Sequence, residues 1–302
     1  MSVRHFLEVT DLAVDELHQV LALSQVPIAS LGMPLAGRGA ALIFEKPSNR
    51  TRQSMEMAVV QLGGHPIYTR GDEVGFDVRE SVEDVTKIMD GYHHLLAARV
   101  FDHAIVERMA SVSSVPVVNM LSDRSHPMQA LADVLTMTQE WAHLAGHTVA
   151  YVGDYNNVAR SLSRACLMLG AHVRLSCPVG YDASLDELTN LDRIGSGSIL
   201  QFNDPAEAVH DADAVHTDTW TSMGQEVEKA QRREIFSRYQ VNAELMSFAS
   251  PAAIFMHCLP AYRGDEVSAD IIDGNRSRVI RQGHNRMHAS RGLLAFLLGV
   301  RP

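Results

Sequence analysis

Cysteine is scarce. The chain holds only Cys166, Cys177 and Cys258, odd in number and far apart, which excludes a disulfide framework. Reduced thiols and a cytoplasmic setting are expected instead. Positive charge is also in deficit: 26 Lys+Arg stand against 36 Asp+Glu, a formal net charge of −10. A surface of that sign repels nucleic acid and anionic membranes, so neither is expected as a partner. Any anionic ligand has to be held by local positive groups. Long apolar runs are missing too, the longest (Leu293 to Val300) being less than half of the roughly 20 residues that a membrane span needs. The start, Met1 to Glu8, reaches an acid before an apolar core develops, so no secretory signal is expected. Internal repeats and low-complexity stretches are absent.

What is present is a chain of 302 residues, 46% hydrophobic and 21% charged, the balance of a folded globular protein. That length exceeds what one hydrophobic core usually serves, so two domains are expected. Strand-type apolar runs alternate with segments of helical period, the pattern of an α/β protein with parallel sheets. Strands are predicted at Ala40–Phe44, His65–Tyr68, His94–Ala98 and Val115–Asn119. The clearest helix between them, Arg50 to Leu62, carries Met55, Ala58, Val59 and Leu62 at i, i+3, i+4 and i+7 and stops at Gly63-Gly64. A long helix from Pro127 to Trp141 leads to a polar break near Gly146, where the pattern restarts. Strand Thr148–Val152 and helix Asn157–Leu169 form one βα unit there. Strands at His172–Ser176, Ile199–Phe202, Ala214–Thr217 and Ile254–His257 complete a second sheet, and an amphipathic segment from Asn285 to Leu298 follows it.

Five segments offer chemistry. In Phe44 to Ser54 a strand ends, Pro47 breaks it, and Ser48 sits where an N-cap belongs. The first turn of that helix presents unpaired N–H groups and a partial positive charge, so an anion is favoured there. Ser48 and Thr51 add hydroxyls, and Arg50 and Arg52 add guanidinium forks suited to phosphate. Arginines in a first turn oppose the helix dipole, which a purely structural helix would avoid. His126 and Gln129 lie at the start of the Pro127 helix, where the charged form of an imidazole is disfavoured; alone, a His before a Pro is usually a loop residue. Gly153 to Asn157 follows a strand where nucleotide-binding turns occur, but without G-x-G-x-x-G, and its asparagines serve equally as caps or as ligand contacts. Asp218 also follows a strand and can pair with a cationic amine. His257-Cys258 invites a zinc reading, yet no second Cys or His pair at ligand spacing accompanies it, so no metal site is expected.

Together these segments carry a resemblance. Ser48-Asn-Arg-Thr-Arg52, His126-Pro-Met-Gln129, Asp218 with Ser222-Met-Gly224, and His257-Cys-Leu-Pro260 occur in the order and spacing of the aspartate/ornithine carbamoyltransferase family, over essentially the whole chain. The Asp218 and His257 motifs resemble its ornithine branch. The resemblance implies two doubly wound parallel-sheet domains: a carbamoyl-phosphate domain over 1–144, joined by a C-terminal helix in 285–302 packing back on it, and an ornithine domain over 145–284. It also implies a homotrimer with active sites between subunits, possible further assembly of trimers, and no cofactor. By the same resemblance Ser48, Asn49, Arg50 and Thr51 hold phosphate. Arg99, His126 and Gln129 surround the carbamoyl group, with Cys258, Leu259 and Arg286 at the same substrate. Asn157, Asp218, Ser222 and Met223 bind ornithine.

The chemistry agrees with these roles. An amine of Lys-like pKa is on the order of 0.1% neutral at pH 7, yet only the neutral form attacks a carbonyl. Asp218 and Cys258 are candidates for orienting the ammonium and accepting its proton, while Thr51, Arg99 and His126 can stabilise charge on the carbonyl oxygen. This sequence departs from the family pattern twice. Asn49 replaces a usual Thr, and Glu73 stands where a Gln commonly reaches a neighbouring subunit's phosphate. An acid there repels phosphate unless it turns away or pairs with an arginine. Three other readings compete: a carbamoyltransferase for a different amine, a Rossmann-type dehydrogenase, which the missing glycine fingerprint disfavours, and a non-catalytic binding subunit, which the retained arginines, His126 and Cys258 disfavour.

Overall fold

The computed structural model describes residues 3–221 and 226–302. Its first four strands, β1 (Gly39–Phe44), β2 (His65–Arg70), β3 (Leu95–Arg99) and β4 (Val117–Leu121), form a parallel sheet in the order β2-β1-β3-β4. The central strands are buried almost throughout, whereas β2 at the edge is partly exposed. A strand covered on both faces reads as a continuous apolar run rather than an alternation. Phe6 extends the sheet beyond β4, its N–H donating to Val117 and its carbonyl accepting from Asn119, both at 2.8 Å.

Five more strands make the second parallel sheet: β5 (Thr148–Val152), β6 (His172–Ser176), β7 (Ser198–Phe202), β8 (Ala214–Thr217) and β9 (Ile254–His257), in the order β7-β6-β5-β8-β9. The α/β class read from the sequence is therefore the class the chain adopts, with helices flanking both parallel sheets. The chain divides into two compact units, Met1–Leu135 with His284–Pro302, and Thr136–Gly283. Both divisions fall inside helices, Pro127–Trp141 and Val279–Leu297. Within the first unit the last helix packs back on the rest: Arg291 donates to Gln61 Oε1 (2.8 Å) and to the Ser24 carbonyl (3.1 Å).

Local chemistry explains the helix bounds. Ser48 caps Asn49–Gln61 by accepting the Thr51 N–H, and Met55, Ala58, Val59 and Leu62 are buried beneath it. Gly63 ends it at φ +82°, a conformation that costs other residues strain. Two elements differ from expectation. The strand expected at Val115 starts at Val117, because Pro116 has no N–H to give to a ladder. The last helix begins at Val279, six residues before Asn285, and runs straight through Gly283. Tertiary contact supports its early turn, where Gln282 Oε1 accepts the His257 N–H at 2.9 Å.

Candidate active site

In an open parallel sheet, ligands bind beyond the carboxyl ends of strands where the strand order reverses direction. In the first sheet that point lies between β1 and β3, since the chain leaves β1 for β2 and returns on the other side. Phe44 and Arg99 pair in register there. The helix after β1 presents Thr51, which is 2% exposed. Thr51 Oγ1 receives Arg99 Nη1 at 3.3 Å, Arg286 Nη2 at 2.6 Å and Ser48 Oγ at 3.0 Å. Two buried guanidinium groups thus converge on one neutral hydroxyl. Such an arrangement is built to receive negative charge.

His126, immediately before the Pro127–Trp141 helix, belongs to the same set. Its pKa lies well below the ordinary imidazole value, first through complete burial and then through the positive charges of Arg286 and Arg99. At neutral pH the ring is therefore uncharged and can donate a single hydrogen bond. Gln129, fully buried, donates Nε2 to Asp133 Oδ1 at 2.7 Å. That bond fixes the amide's orientation, and Gln129 Oε1 is left buried with no partner among the described residues. Arg50 is half-buried and engaged by no other group among the described residues.

The second sheet reverses between β5 and β8. Asp218, just past β8 and 6% exposed, has both carboxylate oxygens engaged. Oδ1 accepts the Thr219 N–H at 2.8 Å and the Cys258 thiol at 3.0 Å, and Oδ2 accepts Asn156 Nδ2 at 2.9 Å. Cys258 follows β9 in a turn where Leu259 takes φ +58°, a costly conformation for a branched residue. His257 holds that turn: its Nδ1 accepts the Leu259 N–H at 2.9 Å, and its Nε2 faces Glu266 Oε1 at 3.2 Å. Because Nδ1 accepts, the ring proton sits on Nε2 and points at the carboxylate. Below these groups Tyr151 stacks on His216, and burial, then Asp218, push its phenol well above the usual range.

Two family models match the chain. The carbamoyl-P binding domain of the aspartate/ornithine carbamoyltransferases matches residues 4–139, and their Asp/Orn binding domain matches residues 145–297. The chain belongs to the aspartate/ornithine carbamoyltransferase family. An ornithine carbamoyltransferase of Chromobacterium violaceum is 43% identical over 98% of this chain and 97% of its own length. That of Hyperthermus butylicus is 48% identical over 87% and 85%. The solved structure of the Pyrococcus furiosus ornithine carbamoyltransferase superposes with a TM-score of 0.94 at 40% identity, covering 99% of both chains.

With family membership in hand, the residues singled out by sequence can be located. Ser48, Thr51, Arg99 and Arg286 are joined by hydrogen bonds, and His126 lies in the field of both arginines. Asn49 is exposed and its side chain accepts from Gln53 at 2.5 Å, so its departure from Thr leaves the Thr51 cluster untouched. Arg52 turns away from the expected fork. It bonds Glu56 at 2.8 Å and lies 3.8 Å over the Tyr68 ring, because an i,i+4 acid and an aromatic face are both within its reach. Glu73 pairs with Arg70 at 3.3 Å, one of the two arrangements considered for an acid at that position. Asp218 and Cys258 are in contact, and Asn157 opens the helix after β5. Ser222 and Met223 lie outside the described residues.

Sequence reasoning missed two features. Glu266 carries no motif signal and meets His257 only through the fold. Both asparagines of the Gly153–Asn157 turn read from sequence as caps or ligand contacts, and nothing there foretells the contact of Asn156 with Asp218. The expectation of no metal at His257-Cys258 rests on the want of a second pair at ligand spacing and on the scatter of the histidines; among the described residues Asp218, from another strand end, brings a donor atom within 4.8 Å of theirs. Those donors are already used, the imidazole by Leu259 and Glu266 and the thiol by Asp218.

Proposed function

We propose that this protein transfers the carbamoyl group of carbamoyl phosphate to the δ-amine of L-ornithine, giving L-citrulline and phosphate. The observation that carries this reading is the buried Asp218 carboxylate, oriented by Cys258, Thr219 and Asn156 in the unit that matches the Asp/Orn model. The two acceptors of the family have opposite charge at their distal ends. A buried carboxylate repels the second carboxylate of aspartate and attracts the ammonium of ornithine. Purified protein offered ornithine, an N-acetylated ornithine, other diamines and aspartate in turn should carbamoylate ornithine in preference. Preference for aspartate would contradict the reading.

The roles follow from chemistry. Residues 1–144 with 285–302 serve carbamoyl phosphate and 145–284 serve ornithine. Phosphate oxygens take the N–H groups at the start of that helix, around Ser48, Asn49 and Arg50, the Thr51 side chain, and the Arg50 fork, which no other described residue engages. The carbonyl oxygen lies toward Thr51, Arg99 and neutral His126, and the buried Gln129 Oε1 accepts from the carbamoyl NH₂. Arg286 adds positive charge through Thr51. On the other substrate, Asp218 and Cys258 orient the ammonium, whose first proton passes to the Asp218 carboxylate, with Asn157, Ser222 and Met223 around the amino acid; Leu259 stands with Cys258 at the carbamoyl group. The neutral amine then bonds to the carbonyl carbon, negative charge builds on the oxygen, and the carbon–oxygen bond to phosphate breaks. Phosphate leaves with the electron pair and can accept the remaining amine proton. Positioning and electrostatics supply the rate enhancement.

The assembly we propose is a homotrimer. Met57, Val60 and Ile67 are apolar yet 44%, 49% and 44% exposed in one chain, surface that a neighbouring subunit would cover. A cytoplasmic location is supported by three free cysteines, and no helix among the described residues is long and apolar enough to cross a membrane.

A further inference from the structure

The turn after β5 contains a side chain with two simultaneous duties. Asn156 is the N-cap of Asn157–Met168, its Oδ1 accepting the N–H groups of Val158 at 2.9 Å and Ala159 at 3.1 Å. Those two bonds fix which end of the amide is oxygen, so the Nδ2 that meets Asp218 Oδ2 at 2.9 Å is unambiguously a donor. Asp218 Oδ1 already receives Thr219 N and Cys258 Sγ, which fills its two acceptor positions. Among the described residues Oδ2 receives only Asn156. The acceptor position open to an incoming ammonium is therefore on Oδ2, and the Asn156 amide sets the direction in which it points.

We propose that Asn156 is a positioning residue for the acceptor amine, acting through Asp218; this rests on the ornithine reading above. Its helix-capping duty locks the amide, and the locked amide locks the plane of the carboxylate. The competing account is a plain helix cap, and the two separate by substitution, because Asp caps a helix as well as Asn does. Asn156→Asp keeps the cap but sets a second carboxylate against Asp218. Asn156→Ser keeps a capping oxygen and removes the donor.

Steady-state citrulline formation and thermal unfolding of both variants, beside wild type, test this. Asn156→Asp keeps the helix cap and should still fold, with a Tm lowered by the two facing carboxylates, should lose about 10- to 100-fold in kcat/KM for ornithine, and should leave KM for carbamoyl phosphate within about twofold. Asn156→Ser should show the same split with a smaller loss. Wild-type kinetics in a folded Asn156→Asp would overturn the proposal. If that variant does not fold, Asn156→Ser decides, and equal rises of both KM values would overturn it. Wild-type protein that forms no citrulline refutes the ornithine reading and this role with it. Active wild type matched by Asn156→Asp refutes the role alone.

Discussion

Arg50 is the side chain on which the phosphate assignment is most exposed to test. It is half-buried in the first turn of its helix, and its guanidinium has no protein partner among the described residues. Removing it takes no hydrogen bond or ion pair from the described residues. Arg50→Ala should therefore unfold at the wild-type temperature while losing about 2–4 kcal/mol in kcat/KM for carbamoyl phosphate, one charge-assisted contact. Unchanged kinetics would end the phosphate role. Cys258 is tested by pH. Its thiol donates to Asp218 Oδ1, and a serine hydroxyl can make that bond but cannot ionise near neutral pH. If the thiol helps manage the amine's charge, Cys258→Ser should bind carbamoyl phosphate normally and shift the profile of kcat/KM for ornithine between pH 6 and 10. Superimposable profiles would leave Asp218 as the orienting group and Cys258 as packing.

Among the elements, the last helix passes close against the Val14–Gln25 helix at Gly292. A Cβ at 292 would lie 2.2 Å from Ser24 Oγ and 2.7 Å from both Ser24 N and the Val20 carbonyl. Backbone cannot yield to that. Gly292→Ala should cost about 1–3 kcal/mol of stability, read as a lowered denaturant midpoint, and a loss within error would mean the helix sits farther away. Elements were also where sequence served best. Short apolar runs locate the central strands, because β1, β3 and β5 are covered on both faces and their runs need no tertiary knowledge. Ser48 and Pro127 mark helix starts by local chemistry alone. What stayed hidden depends on contacts distant in sequence: Arg52 choosing Glu56 and Tyr68, Glu266 meeting His257, and Asn156 rather than Asn157 reaching Asp218. No local signal tells adjacent asparagines apart; which one points at β8 is set by the cap geometry.

For the whole molecule, stability should fall on mild acidification. His5, His93, His103, His126 and His288 are all held below the ordinary imidazole value, in each case chiefly by burial. The unfolded chain takes up protons near pH 6.5 that the folded chain refuses, so stability rises with pH through that region and drops below it. The completely buried His126 alone gives a slope of up to about 1.4 kcal/mol per pH unit. Tm should decline from pH 7.5 to 5.5, a window above the carboxylate range, and a flat profile would contradict the burial of these rings. In solution, light scattering should give about three times the 33.2 kDa chain mass, and a monomer would remove the trimer. The most direct test of the account is simultaneous measurement of citrulline and phosphate released by purified protein from carbamoyl phosphate and L-ornithine. The two should appear in equal amounts and saturate with both substrates; phosphate without citrulline, or neither product, would contradict carbamoyl transfer to ornithine.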